Sequence, residues 1–170
     1  MFTQKTKRSY RPRVIMSKLN TIFNLDKVLN TNSDLNISEV GTLNIKYSGT
    51  TASDESSAKM KGLITRDNDY LHLQLEVKFL SNNECSRCLK ITHKEESVEI
   101  IEKLYLNNQN EYDIDFNDDS IDIYPILSEK IIDNISLVTL CSIDCPGLCS
   151  ICGKEQNLNK CFHEEKNLKE

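Results

Sequence analysis

Alternation of apolar and polar residues predicts several β-strands along this chain. The strongest pattern runs from position 71 to 79, where the apolar residues are Leu71, Leu73, Leu75, Val77 and Phe79. A period of two gives a strand with one buried face. Weaker alternation predicts a strand at 43–47, another at 60–65 that pairs beside it, and a further strand at 98–104. We expect these strands to form an antiparallel sheet.

A different period appears further along the chain. Apolar residues recur at every fourth position, at Ile123, Leu127, Ile131 and Ile135. This spacing predicts an amphipathic helix over residues 123–136 that packs on the sheet. Asp122 suits the N-cap of this helix, and Pro125 is tolerated in its first turn. Residues 17–29 also carry apolar side chains, but they show no clear period.

Length and composition indicate one globular domain with a small appendage. The chain has 170 residues, of which 38% are hydrophobic and 28% charged, and its apolar runs are far shorter than the roughly 18 residues of a membrane span. No signal peptide is recognisable, so we expect a cytoplasmic protein without membrane contact. The predicted fold class is α+β, an antiparallel β-sheet with one or two packed helices and a C-terminal cysteine-rich zinc-binding tail.

The predicted organisation has three parts. Residues 1–15 form a basic flexible arm, residues 16–140 form the sheet and helix domain with the first cysteine pair, and residues 141–170 form the zinc-binding tail. The polar segments 48–57 and 107–119 have no apolar period and are predicted to be loops.

Charge is unevenly distributed along the chain. The arm carries five basic residues and no acid, whereas the rest of the chain has 16 basic and 26 acidic residues, a net charge of −10. Contacts to RNA phosphates need Lys and Arg, so an acidic body is a poor general RNA binder. The arm is an RNA-contacting segment, an upstream extension before a second start at Met16, a transit peptide, or a disordered segment without a specific role. The candidate nucleic-acid-binding residues are Arg8, Arg11 and Arg13 in the arm, and Arg87, Lys90 and Lys94 in the body.

Seven cysteines are the unusual feature of the composition. Together with one histidine they make eight potential metal ligands: Cys85, Cys88, Cys141, Cys145, Cys149, Cys152, Cys161 and His163. Structural zinc sites are tetrahedral and take four sulfur or nitrogen ligands, often from C-x-x-C pairs. Eight ligands therefore predict two zinc ions. The other two histidines, His72 and His93, are expected to be surface side chains.

The eight ligands divide in two ways. The division we favour joins Cys149, Cys152, Cys161 and His163 in one local site, which leaves Cys85, Cys88, Cys141 and Cys145 for the other. In the alternative division, Cys85 and Cys88 join Cys149 and Cys152, and Cys141, Cys145, Cys161 and His163 form the second site.

Other uses of the cysteines are less well supported by the sequence. A redox C-x-x-C pair usually begins a helix in a βαβ unit, whereas the first pair here follows a strand in an antiparallel pattern. Inert thiols and an iron–sulfur cluster are further alternatives. A hydrolytic zinc keeps one position for water, but both predicted sites have four protein ligands. With no phosphate-binding or hydrolase motif present, we expect neither an enzyme nor a small-molecule substrate.

Three motifs resemble one known family. They are Cys85-Ser-Arg-Cys88-Leu89 after an alternating strand, Ile121-Asp122-Ile123 before the predicted helix, and the tail from Cys141 to Gly153, which has the pattern C-x-x-x-C-x-G-L-C-x-x-C-G. Together with Asn157-Leu158-Asn159, they resemble the bacterial YceD family, the large ribosomal RNA subunit accumulation proteins. The resemblance covers about residues 17–163 and is dense only at the two cysteine regions.

The resemblance implies a function and supports one division of the ligands. It implies a binding module that supports synthesis, processing or accumulation of large-subunit ribosomal RNA, with that RNA or a basic ribosomal protein as partner. Some members keep only the first cysteine pair, which implies a first site independent of Cys149 and Cys152. This chain ends its tail with His163 where the family has cysteine, and it lacks the family's Leu-Pro at 135–136. A zinc-ribbon transcription or DNA-binding accessory factor is the second hypothesis, and a thiol redox protein is the third.

Overall fold

The α+β fold class is confirmed in the computed structural model, which describes residues 17–52, 57–107, 110–112, 114, 116–117, 119–136, 138–157, 161 and 163. The basic arm and its three arginines lie outside these residues. The described elements are β1 Ile22–Asn24, α1 Asp26–Thr31, β2 Leu35–Gly41, β3 Ile45–Tyr47, β4 Thr50–Ala52, β5 Ala58–Asp67, β6 Tyr70–Glu84, β7 Ile91–Tyr105, β8 Phe116–Asn117, β9 Ser120–Asp122 and α2 Tyr124–Asn134.

Strand β6 is the centre of a six-stranded antiparallel sheet. It pairs with β7 along its whole length, and its other edge is shared by β5 and β4. Strand β2 continues the sheet beyond β5, and β3 continues it beyond β4. The predicted strand at 71–79 is confirmed, and its apolar side chains are all buried at 5% exposure or less. The predicted strand at 98–104 is also confirmed, as part of β7.

The pairing predicted for the early strands is wrong. The strand predicted at 43–47 is β3, and it pairs with β4 rather than with the segment 60–65. That segment belongs to β5, which lies between β2 and β6. Strand β4 also falls in a segment predicted to be a loop. The reason is a two-residue turn at Ser48 and Gly49, whose φ angles of 47° and 77° suit the tight turn of a hairpin.

A small second sheet occupies residues that the sequence left ambiguous. Strand β9 pairs with β1 on one side and with β8 on the other. Residues 17–29 therefore supply a strand and the start of α1, and the predicted loop at 107–119 contains β8. Their apolar side chains, including Phe23, Leu25 and Ile121, join the same hydrophobic core as the large sheet.

The predicted helix is confirmed with slightly shorter bounds, as α2. Ile123 is its N-cap residue, and Asp122 instead accepts a hydrogen bond at Oδ1 from the backbone N–H of Tyr124 at 2.9 Å. The helix buries Ile126, Leu127 and Ile131 and packs against β7 and β3. The two helices of the described residues are too short and insufficiently apolar to cross a membrane. The chain after α2 begins close to the end of β6, since residues 134–136 line one cavity together with Ser81 and Asn83.

A substitution at Gly62 tests how closely β5 and β6 are packed. A Cβ atom at this position would lie 2.0 Å from the backbone oxygen of Gln74, so a side chain must push two central strands apart. We expect Gly62→Ala to lower the free energy of unfolding by about 1–3 kcal/mol, a typical cost of overpacking. Denaturant unfolding measures this change. The matched control is Lys61→Ala, at an exposed position of the same strand, and equal stability of the two variants would contradict the packing.

Candidate metal centre

The first cysteine pair forms the loop of the longest hairpin. Residues 85–90 connect β6 to β7, and this loop is called the first cysteine hairpin below. The backbone N–H of Cys85 donates to the carbonyl of Lys90 at 2.9 Å, and the N–H of Leu89 donates to the carbonyl of Cys85 at 2.9 Å. Leu89 has a φ angle of 62°. The loop thus turns tightly around Cys85 and Cys88.

Cys85 is buried because the alternation of β6 continues to its end. Positions 81 and 83 lie on the buried face, where Ser81 and Asn83 are 1% and 6% exposed. Asn83 accepts a hydrogen bond from the hydroxyl of Thr50 at 3.0 Å and donates one to Ser81 at 2.8 Å. These bonds satisfy buried polar groups that would otherwise destabilise the strand. The next inward position is Cys85, which is fully buried.

The second cysteine pair repeats the same turn in a small hairpin. Leu148 and Glu155 form an antiparallel bridge, and the loop 149–154 between them is the second cysteine hairpin. Here the N–H of Cys149 donates to the carbonyl of Lys154 at 2.8 Å, and the N–H of Gly153 donates to the carbonyl of Cys149 at 2.8 Å. Gly153 has a φ angle of 70° and corresponds to Leu89. The two C-x-x-C loops are therefore built alike.

Each hairpin meets a second pair of ligands. The first cluster consists of Cys85, Cys88, Cys141 and Cys145, and the second cluster consists of Cys149, Cys152, Cys161 and His163. Within each cluster the ligand atoms all lie within 4.8 Å of one another. The structure therefore groups the eight residues as in the division favoured from the sequence.

Sulfur spacing in the first cluster fits a tetrahedral metal ion. The Sγ atoms of Cys85 and Cys145 are 3.8 Å apart, and those of Cys88 and Cys141 are 3.6 Å apart. Four sulfurs bound at 2.3 Å to a central zinc ion lie about 3.8 Å from one another. Only Cys141 of this cluster is partly exposed. The donor set and its spacing suit a closed structural site.

Four hydrogen bonds, one of them between backbone groups only, bring the tail to the first cysteine hairpin. The N–H of Ser86 donates to the carbonyl of Thr139 at 2.8 Å, and the hydroxyl of Ser86 accepts from the N–H of Thr139 at 3.3 Å. The Arg87 guanidinium donates to the carbonyl of Cys145 at 3.1 Å and to that of Ile143 at 3.4 Å. These bonds hold the loop that carries Cys85 and Cys88 against the segment that carries Cys141 and Cys145.

The second cluster is more open. The Sγ atoms of Cys152 and Cys161 are 3.5 Å apart, which also fits ligands of one ion. Cys149 is buried, Cys161 is half-buried, and Cys152 and His163 are exposed. Solvent therefore reaches the second cluster more easily than the first.

The thiols of each cluster differ in acidity. A hydrogen bond from the backbone N–H of Cys141 lowers the pKa of Cys85 to about 6, and one from the backbone N–H of Cys152 lowers the pKa of Cys149 to about 6. The sulfur of Cys145 raises the pKa of Cys141 to about 12, and the sulfur of Cys152 raises the pKa of Cys161 to about 11. Negative charges on neighbouring thiolates repel one another, and a bound cation offsets this repulsion.

The body residues predicted to bind nucleic acid have different surroundings. Arg87, Lys90 and Lys94 are all exposed, but Arg87 bonds the tail carbonyls and Lys94 forms an ion pair with Glu96 at 2.9 Å. Among the described residues, the side chain of Lys90 forms neither a hydrogen bond nor an ion pair of this kind.

The sequence did not indicate the structural roles of two further residues at the clusters. Asn157 donates from Nδ2 toward the sulfurs of Cys141 and Cys145, 3.8 Å from each, and Arg87 acts on the tail as described above. Asn157 was noted only as part of a motif. No periodic pattern in the sequence indicates that its side chain donates to ligand sulfurs. The ring of His72 packs edge-on against that of Tyr70. Nδ1 of His93 lies 2.7 Å from Oδ1 of Asn82. Neither histidine belongs to a cluster.

Comparison with known families gives a decisive match. The family of the large ribosomal RNA subunit accumulation protein YceD matches residues 73–170, more than half of the chain. The chain belongs to this family. The match begins in β6 and includes both cysteine hairpins, α2 and all eight residues of the two clusters. No curated protein and no solved structure matches the chain significantly.

Membership of this family implies a role in large ribosomal RNA subunit accumulation. The two clusters can hold metal ions.

Metal binding at these clusters should release protons. At neutral pH the thiols of Cys85 and Cys149 are already ionised, whereas those of Cys141 and Cys161 keep their protons until a metal ion displaces them. We expect proton release on zinc addition at pH 7, and an affinity that falls more steeply below pH 6, where the first two thiols also become protonated. Titration calorimetry in buffers of different ionisation enthalpy measures the released protons. Zinc binding without proton release would contradict this assignment.

The contact of Arg87 with the tail predicts a structural effect. Arg87→Ala removes two hydrogen bonds, each worth about 1 kcal/mol, so the unfolding temperature of the metal-loaded protein should fall by several degrees. Lys90→Ala, at an exposed position of the same hairpin, is the matched control and should leave it unchanged. Thermal unfolding distinguishes the two variants, and identical midpoints would show that Arg87 does not hold the tail.

Proposed function

We propose that this protein is a ribosome-assembly factor for the large subunit, and that two structural zinc ions stabilise its cysteine-rich tail. The family match over both cysteine hairpins carries the proposal. The role belongs to the cytoplasm, where bacterial ribosomes are assembled. In this proposal residues 141–170 are a metal-binding tail docked on the sheet domain, and residues 1–15 are a separate basic arm.

Zinc is the metal that suits both clusters best. Four cysteines in one cluster and three cysteines with one histidine in the other are both common ligand sets of structural zinc. Each set is complete without water, which argues against a hydrolytic role. The repeated hairpin geometry gives each ion the same kind of first ligand pair.

Thiol redox chemistry is disfavoured by burial. The lowered pKa of Cys85 alone would suit a reactive thiol, but its side chain is fully buried, whereas reactive cysteines are accessible. Neither helix of the described residues begins at a cysteine pair. A metal ligand needs the same thiolate and requires no access, so we propose a binding protein rather than an enzyme.

Strand β7 offers the most suitable partner surface. Its even-numbered residues bond to β6, so its odd-numbered residues from Ile91 to Lys103 direct their N–H and C=O groups away from the sheet. Tyr105 shows the same orientation, because Asn110 bonds both of its outward backbone groups. Among the described residues no other chain segment pairs with this edge. An open strand edge can bind an extended polypeptide by strand addition.

The middle of this edge is acidic and favours a basic partner. Glu95 and Glu99 are exposed on it, close to the exposed apolar side chain of Ile101. An added strand would place its side chains opposite these residues. We therefore propose that the occupant is an extended lysine- and arginine-rich segment of a ribosomal protein. RNA contact through the basic arm and the patch at Lys90 is the alternative outcome of the test.

The test blocks the edge without breaking the sheet. The N–H of Ser97 points outward, so Ser97→Pro removes an edge donor but no backbone hydrogen bond to β6. The 3.5 Å bond from the Ser97 hydroxyl to Oε1 of Glu76 is lost equally in Ser97→Pro and in the alanine control. We expect the native chain to co-sediment with precursor large subunits and to restore large-subunit RNA in a strain that lacks it, and we expect Ser97→Pro to lose both activities. Ser97→Ala is the matched control, because it keeps the N–H, and it should behave as the native chain.

Other results distinguish the alternatives. Native behaviour of Ser97→Pro, together with loss of association when Arg8, Arg11 and Arg13 are neutralised, would favour RNA contact over the protein partner. Co-sedimentation with RNA polymerase instead of precursor subunits would contradict the assembly role and favour a transcription factor.

A further inference from the structure

The two clusters are joined by a very short connection. Three residues separate Cys145 of the first cluster from Cys149 of the second. The middle one, Gly147, accepts a hydrogen bond at its carbonyl from the N–H of Gln156 at 3.1 Å, and the N–H of Leu148 donates to the carbonyl of Arg87 at 3.2 Å. Residues 155–157, which follow the second cysteine hairpin, thus lie beside the first cluster.

Asn157 connects residues 155–157 to the first cluster. Its side-chain nitrogen lies 3.8 Å from the sulfurs of both Cys141 and Cys145 and 2.9 Å from Oε1 of Glu155. The carboxylate of Glu155 takes one amide hydrogen, which leaves the other directed at the sulfurs. Hydrogen bonds to ligand sulfur spread its negative charge, and such outer contacts strengthen metal binding.

Asn157 belongs to the segment that joins two ligands of the second cluster. In the sequence this residue falls between Cys152 and Cys161. The Sγ atoms of these two cysteines are 3.5 Å apart. A metal ion that binds both cysteines closes the segment between them into a loop. Without that ion, the contacts that hold the described part of this segment are the hairpin hydrogen bonds and the side-chain bonds of Asn157 itself. Since Cys152 and His163 are exposed, the second cluster is also the one that solvent and chelators reach first.

We propose that Asn157 couples the two metal centres, so that an ion in the second cluster slows loss of the ion from the first. The proposal rests on the proposed function only in requiring that both clusters hold metal. Metal in the exposed cluster keeps the Asn157 amide on the sulfurs of Cys141 and Cys145. Loss of that metal frees the amide, and the buried cluster then holds its ion less tightly. Coupling of this kind is reciprocal for the two affinities.

Cobalt separates the two centres in an experiment on the full chain. A cobalt ion bound by four thiolates absorbs differently from one bound by three thiolates and an imidazole, so release from each cluster to a chelator can be followed separately. The informative variants are Asn157→Ala and Cys152→Ser, which opens the second cluster. Gln156→Ala is the matched control, because Gln156 bonds Gly147 through its backbone.

Asn157→Ala should speed release from the first cluster about tenfold, the usual effect of losing an outer contact to a ligand. Asn157→Asp should speed it further, because a carboxylate then faces the thiolates. Cys152→Ser should accelerate release from the first cluster by a similar factor, and adding Asn157→Ala to it should change little more. Gln156→Ala should release cobalt as the native chain does, and circular dichroism should show the same sheet in every variant.

Three results would overturn the coupling. They are unchanged release from the first cluster in Asn157→Ala, slower release in Asn157→Asp, and a full tenfold effect of Asn157→Ala when Cys152 is already replaced. Each of these leaves two bound ions in the native chain and so leaves the proposed function intact. A chain that binds no metal would instead contradict the proposed function itself.

Discussion

Crowding of thiols at the end of one long hairpin is the constraint on which the rest of this structure depends. Four sulfur atoms from two distant parts of the chain lie within 4.8 Å of one another, and three of the four side chains are buried. Ionised thiols so close together repel unless a cation lies between them. The first cluster therefore ties the tail to the sheet when it holds metal, and its position depends on the sheet that delivers Cys85.

The sheet and the clusters form one continuous arrangement. The buried face of β6 runs from Leu71 through Ser81 and Asn83 to Cys85, so a single strand links the hydrophobic core to the first cluster. Helix α2 packs on the same sheet and ends at Asn134, seven residues before Cys141. Beside the second cysteine hairpin, Leu148 bonds to Arg87 of the first, and Asn157 reaches the sulfurs of Cys141 and Cys145. Each layer positions the next, from the core outward to the exposed second cluster.

Much of this could be predicted from the sequence, because the strongest signals are local. Alternation identified β6, the four-residue period identified α2, and ligand spacing favoured the grouping that the structure has. The early strands were paired wrongly because pairing depends on contacts between distant residues, and the turn at Ser48 and Gly49 is a weak signal on its own. The roles of Arg87 and Asn157 could not be predicted, since each acts on atoms more than ten residues away in the chain. The apolar alternation stops at Phe79, and the inward residues Ser81 and Asn83 are polar, so no hydrophobic pattern in the sequence marks Cys85 as the next position on the buried face.

The central claim is that this chain holds two structural zinc ions, and zinc content with X-ray absorption on the purified full-length protein tests it most directly. The account predicts two zinc ions per chain, no disulfide, and an average surrounding of sulfur with a minor nitrogen contribution at Zn–S distances of about 2.3 Å. A metal-free protein with its cysteines joined in disulfides, or a zinc ion that carries a bound water in place of a protein ligand, would contradict it.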